Sequence, residues 1–396
     1  MLQRTLTVWA KELLDTLRDR RTLAVMILAP VLLMPVFTLL PQVLMGGQIK
    51  EGQAGSLVVD VHGVENGPQL VAFLRRSGAE IRVVTADPMA LVREDGSRVI
   101  VAIPPDFSTQ MAAEKPARVT IVLDDSQIKS SVVAGRLSEL VAAFGREVAA
   151  RRLTNRGMDP AILSPVEIER QNVATEQQMG GAFLGMFLPM FLVLFAFLGG
   201  MYTAIDVTAG EKERGTLEPL LAAPVGRGEL VIGKLLTVFV TSYGAVILSL
   251  LSTYLTFQFA PGDLLGSRMS FALPLGKLLW LTVAALPLTL LLNGVEMIIC
   301  IFARSFKEAQ NYVTPVQLLL MIPALAVGFV PGLKAPRWAY AVPALGQLAL
   351  FRDLLAGGPV DRARLALGLV SASLYAAVAI AIAVHTFRRE DVLFRT

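Results

Sequence analysis

Six long stretches of this chain carry no Asp, Glu, Lys or Arg, and they set its layout. They run Thr22–Ile49, Gln177–Ile205, Leu235–Pro261, Leu278–Val295, Ala309–Leu333 and Leu365–Phe387. Each reaches or exceeds the roughly 18–20 apolar residues that cross about 30 Å of hydrocarbon as a helix. The pattern predicts an α-helical polytopic membrane protein with six transmembrane helices, at residues 22–48, 179–205, 235–260, 271–303, 312–331 and 365–387. Pro30, Pro35 and Pro41 fall in the first, which is therefore expected to pack inside a bundle, where neighbouring helices satisfy the freed carbonyls.

Between the first and second spans the pattern changes. Residues 49–178 alternate Val- and Ile-rich runs (Ser56–Val61, Glu80–Thr85, Arg98–Ile103, Arg118–Leu123, Val166–Gln171) with helix-like runs (Pro68–Ser77, Pro88–Arg93, Pro105–Glu114, Gln127–Arg156). Such alternation predicts one extracytoplasmic α/β domain with a largely parallel or mixed sheet. The prolines suit first helical turns, and Asp125 or Ser126 suits the N-cap of the long helix.

Residues 1–21 predict an amphipathic helix, an elbow lying along the headgroups. Leu6, Trp9, Ala10, Leu13 and Leu17 share one face, with Lys11, Asp15 and Arg18 on another. The charged tail and the length of the apolar run after it read as a retained signal anchor, since a cleaved signal has an apolar region of about 7–15 residues. Arg4, Lys11, Arg18, Arg20 and Arg21 place the N-terminus in the cytoplasm by the positive-inside rule. Both termini and the loops 206–234 and 304–311 then lie inside, with the tail at 388–396. Residues 332–364 read as an extracytoplasmic or re-entrant segment, although Lys334, Arg337, Arg352, Arg362 and Arg364 run against the rule there.

Composition agrees with a membrane protein: 54% of residues are hydrophobic and 17% charged, too apolar for an ordinary soluble surface. The net charge of +4 comes from basic residues flanking apolar runs, so it indicates a lipid bilayer and no nucleic acid. Cys300 is the single cysteine and forms no intrachain disulfide. Asp60, His62, Asp124 and Asp125 tempt as catalytic groups, yet no metal spacing, nucleophile elbow or paired-carboxylate motif accompanies them. An enzyme is not expected.

The charged insert 206–234 reads DVTAGEKERGTLEPLLAAPVGRGELVIGK. Its end, Gly228 to Lys234, matches the GxxxxGK body of a phosphate loop. Leu235 stands where Ser or Thr must hold magnesium, and no core strand precedes it, so the chain binds no nucleotide itself. The insert reads as helix, break, helix, with exposed carboxylates that dock in a partner's groove.

GEKERGTLEPLLAAPVGRGELVIGKLL resembles the segment between the second and third spans of ABC type-2 exporter permeases. ARSFKEAQNYVTP, with Ile322–Pro323 after it, resembles their sodium-extrusion (NatB-type) branch. The resemblance implies a permease subunit that pairs with a second copy of itself or a close homologue. Two separate cytoplasmic ABC ATPase subunits would drive it and handle ATP and Mg2+, with no cofactor bound by this chain. It implies ATPase coupling through Glu211, Glu213, Arg214, Gly215, Thr216, Glu218 and Pro224. Elbow contacts would come from Trp9, Lys11, Glu12, Asp15 and Arg18, and a second cytoplasmic contact from Arg304, Ser305, Lys307 and Glu308. The exported substrate would be Na+ or another monovalent cation, with lipid, drug or peptide as alternatives. A membrane-anchored sensor or assembly protein with an outer ligand-binding domain is the reading from another class, but six spans and no signalling domain argue against it.

Glu296 stands within the fourth span, with Asn293 one turn before it. An ionisable group there is costly and marks a functional site by default. Its carboxylate and the amide oxygen of Asn293 suit a Na+ ion or a proton. The structural alternative is a salt bridge to Arg304 or Lys307, or a packing hydrogen bond.

Overall fold

Every one of the six apolar windows becomes helix, because hydrocarbon leaves a backbone no partner except its own carbonyls. The structure is a computed structural model that describes residues 2–54, 57–163, 176–259, 274–329, 335–356 and 361–389. It divides into two compact units, one of residues 1–40 and 174–396, the other of residues 41–173.

The first unit begins with α1 (Leu2–Arg18) and α2 (Arg20–Ala54). After α7 (Glu176–Ile205) come a π turn (Asp206–Gly210), α8 (Glu211–Glu213), α9 (Leu217–Leu221) and α10 (Arg227–Phe259). The remainder is α11 (Leu275–Phe302), α12 (Phe306–Phe329), α13 (Leu345–Leu355) and α14 (Arg362–Phe387). Six of these helices are long and apolar enough to cross a membrane. At the centre, α7 packs against α10, α11 and α12, while α14 packs on α11. Phe195, Phe197, Leu235, Val238, Leu288 and Met297 fill the space between them. Gly199 sits where a Cβ would fall 2.7 Å from that of Ala245, and this lets α7 and α10 approach closely.

Helix α2 departs from the sequence expectation. Its buried positions between Thr22 and Leu40 are Met26, Pro30, Met34 and Thr38, a single stripe with a spacing of four. Val25, Leu28, Leu32, Val36 and Leu40 are exposed. The span runs along the bundle's side and not within it. Apolar side chains need no protein partner in a bilayer, so prolines in a span do not by themselves demand burial.

Residues 335–356 form a 3-10 turn (Arg337–Ala341) and the buried helix α13. Two of the awkward basic residues have internal partners there. Arg352 donates to the carbonyl of Val327 at 3.1 Å, and Arg364 lies over the Tyr340 ring within 3.7 Å of Asp353 and 3.5 Å of Asp361. Lys334 lies outside the described residues.

The second unit holds a four-stranded sheet in the order β2-β1-β3-β4, from β1 (Leu57–His62), β2 (Ala79–Val84), β3 (Ile100–Ala102) and β4 (Thr120–Val122). β1 runs parallel to both neighbours, with Asp60 opposite Ile100, and β4 is antiparallel. Helices α3 (Pro68–Arg76), α4 (Pro88–Glu94), α5 (Phe107–Ala112) and α6 (Ile128–Asn155) accompany it. The expected strand at Val166–Gln171 lies outside the described residues. Asp60 is paired with Arg98 at 2.6 Å, and His62 contacts the carbonyl of Val84. The expected cap of α6 is also corrected. Gln127 occupies the N-cap with no side-chain bond, while Asp124 turns back to accept from the Ser126 N–H at 2.9 Å. Hydrogen bonding from the Ser126 side chain, with its N–H, holds the Asp124 carboxyl below its ordinary range.

Candidate functional site

The charged insert is not a free-standing loop. Helix α7 continues through the π turn into α8, and α10 already begins at Arg227. Only residues 214–226 stand between the long helices. Charged residues at the helix ends are tolerated because they neutralise one another. Lys234, fully buried, donates to Glu211 Oε1 at 2.6 Å and to Glu12 Oε1 at 3.3 Å. One ammonium thus pins α1, α8 and α10 together. Gly233 beside it makes room for α1, because a Cβ there would meet the Val8 side chain at 2.7 Å. The phosphate-loop look-alike is a packing motif: glycine for close approach, lysine for a buried ion pair.

Helix α1 meets α10 through its polar seam. Thr5, Glu12 and Thr16 are buried, whereas Leu2, Leu6, Leu14 and Leu17 are exposed. The amphipathic periodicity is real, but its apolar side faces away from the protein. Glu12 is therefore a structural ion-pair residue and no free contact for a partner. Trp9 is half-buried, its carbonyl accepting from Thr237 at 3.5 Å. Lys11 bridges Glu12 at 3.1 Å and Asp15 at 3.5 Å. Partial burial opposes its charge, but the hydrogen bond to Glu12 and attraction to Glu12, Glu211 and Asp15 together hold it above the ordinary lysine range. Arg18 is exposed.

Helix α8 also secures the joint between α11 and α12. Lys212 donates to the carbonyl of Ile301, and Glu213 accepts from the Phe306 N–H at 2.7 Å. Arg214 folds back on Asp206 at 2.7 Å. Gly215 then turns the chain with φ +69, a conformation open to glycine without penalty. After it, Leu217 is buried and Thr216, Glu218, Pro219, Ala222 and Pro224 are exposed. The reach-back of Glu229 to the Gly226 N–H, at 2.9 Å, closes the segment.

Residues 304–311 are likewise mostly helix. Ser305 accepts from the Glu308 N–H at 3.3 Å, and Glu308 accepts from the Arg304 N–H at 2.8 Å. That is a reciprocal N-terminal cap of the kind Ser-x-x-Glu encodes. Ser305→Ala should lower stability by about 1 kcal/mol, read as a small fall in melting temperature of the purified protein. Arg304 and Lys307 are exposed.

Asn293 and Glu296 share one side of α11 and are fully buried. Neither Glu296 oxygen has a hydrogen-bond partner, and neither does either polar atom of the Asn293 side chain. The salt bridge to Arg304 or Lys307 is not formed.

A family profile, that of the ABC-2 family transporter protein, matches residues 6–392. The chain belongs to the ABC-2 transporter family. The ABC transporter permease protein NatB of Bacillus subtilis (strain 168) is 28% identical over 364 residues, which cover 88% of this chain and 89% of that relative. As a member of this family the chain is a multi-pass membrane protein and a permease subunit.

The permease's anticipated site residues therefore separate by position. Glu211 and Glu12 are sealed in the Lys234 ion pair, Glu213 and Arg214 hold the helix ends in place, and Glu218 and Pro224 remain outward. Lys234 and Lys212 went unrecognised in the sequence. The signal was there: a lysine in the first turns of an apolar helix requires a carboxylate, and Glu12 of α1 and Glu211 of α8 are acidic residues on the two other helices that meet it.

Proposed function

We propose that this permease is the membrane half of an ATP-driven exporter, carrying Na+ or another monovalent cation outward. In this reading two separate ATPase subunits bind ATP and Mg2+ and push on a dimer of permeases. Both termini and residues 214–226 lie in the cytoplasm, and the α/β unit lies outside. The observation that carries the reading is the Glu12–Lys234–Glu211 joint. It ties the exposed turn at Glu218–Pro224 stiffly to α1, α7 and α10, so a force on that turn moves whole helices. The resemblance to the sodium-extrusion branch supports the cation.

Glu213 and Arg214 are poor test positions because their loss also frees α12 and the π turn. Glu218→Arg is the cleaner variant, being exposed. Co-expressed with a cognate ABC ATPase subunit, the wild-type permease should retain that ATPase through purification, and Glu218→Arg should retain at least about tenfold less at unchanged melting temperature, as for loss of a contact worth about 1.4 kcal/mol. Undiminished retention would remove the coupling role. Na+ should stimulate ATP hydrolysis by the wild-type complex. If Na+ has no effect, cation export gives way to export of a lipid, drug or peptide.

A further inference from the structure

Helix α7 presents Gly200 to the Asn293–Glu296 side of α11. A Cβ at that position would lie 2.6 Å from Glu296 Oε2 and 2.7 Å from Asn293 Oδ1, with Val238 of α10 at 3.2 Å. One turn along α7, Thr203 is 1% exposed and its Oγ1 has no hydrogen-bond partner. Facing stretches of α7 and α11 thus carry five unpartnered buried polar atoms: Thr203 Oγ1, Asn293 Oδ1 and Nδ2, and both oxygens of Glu296. Buried polar atoms in folded proteins are nearly always paired, so a group this size left open points to a missing partner.

The chemistry of the set restricts that partner. An ionised carboxylate buried without a counter-charge is prohibitively costly, so Glu296 either holds a proton or faces a cation. Among the described residues no group of three or more His, Cys, Asp or Glu could hold a metal ion. The donors here are hard oxygens with a single negative charge, the ligand type of alkali and alkaline-earth ions. A divalent ion would leave one uncompensated positive charge in the same apolar surroundings. We propose that Thr203, Asn293 and Glu296, the last two packed closely against Gly200, form a binding site for one dehydrated monovalent cation. This deepens the export reading and rests on it for the cation's role as cargo. The site lies six residues from the end of α11 at Phe302, about 9 Å along the helix, close to the joint held by Lys212 and Glu213.

The test uses the purified full-length permease in detergent, with NaCl, KCl or choline chloride at equal ionic strength. Na+ or K+ well above its dissociation constant should raise the melting temperature by about 5 °C over choline. Glu296→Gln should abolish that difference and melt higher than wild type in choline, since it removes the charge that needs a partner. Gly200→Ala should abolish it by pushing against the Asn293 and Glu296 side chains. Thr203→Val keeps the charge and should weaken half-saturation about tenfold, which keeps the test valid if Glu296→Gln does not fold. A wild-type protein indifferent to Na+ and K+, or a shift that persists in both Glu296→Gln and Gly200→Ala, would overturn the site. If the shift behaves as expected but Na+ and K+ leave ATP hydrolysis by the complex unchanged, the site stands and cation export falls.

Discussion

Lys234→Met should cost the permease about 3–5 kcal/mol, the usual penalty for removing one partner of a buried ion pair. The substitution preserves the length of the side chain and deletes its charge, leaving Glu211 without its lysine and Glu12 with Lys11 alone. Both carboxylates are nearly inaccessible, so water cannot relieve them. The expected readout is a large fall in melting temperature in detergent, with α1 becoming sensitive to protease. Adding Glu12→Gln and Glu211→Gln to Lys234→Met should recover most of the loss, because a buried triad replaced by neutral groups is often no less stable than the original. If Lys234→Met melts like the wild type, the triad has no part in holding α1.

Gly328→Ala should also be damaging, at about 1–3 kcal/mol. A methyl group there runs into the carbonyl oxygen of Met186, a backbone atom that cannot swing away. Helix α12 would have to separate from α7, its principal neighbour. Gly244→Ala in α10 is the matched comparison, with nothing within 4 Å of its Cβ. It should stabilise by about 0.5–1 kcal/mol through helix propensity alone. Melting temperatures that move in opposite directions would confirm that packing decides the sign. A shared direction would show that α7 and α12 do not hold this contact.

The six membrane helices are legible in the sequence because hydrocarbon imposes one rule on every residue inside it. Helix ends are not, since they depend on partners that are remote in the chain. The helix, break, helix pattern of the insert is readable, but not that α7 runs on through Asp206–Glu213, which it can because Lys234 and the ends of α11 and α12 absorb its charges. Ser305 and Glu308 carry a readable capping signal that their position between two apolar windows obscured. The amphipathic pattern of residues 1–21 indicates a helix without saying which side meets protein. In a soluble protein the apolar side would turn inward, but here the polar seam does. Glu296 stands out as an ionisable residue in a span, whereas Thr203 and Gly200 acquire meaning only when α7 is laid against α11. Serine, threonine and glycine are too common in membrane helices to signal a site on their own.

The Lys234 triad also has a consequence for how the chain is made. Glu12 and Lys234 lie 222 positions apart in sequence, and synthesis delivers them in that order. Until α10 is made, Glu211 lacks the lysine it joins and Glu12 has only Lys11 of its own helix. The contact waits for the third of the six long apolar helices, so a nascent permease remains open at this end until α10 arrives.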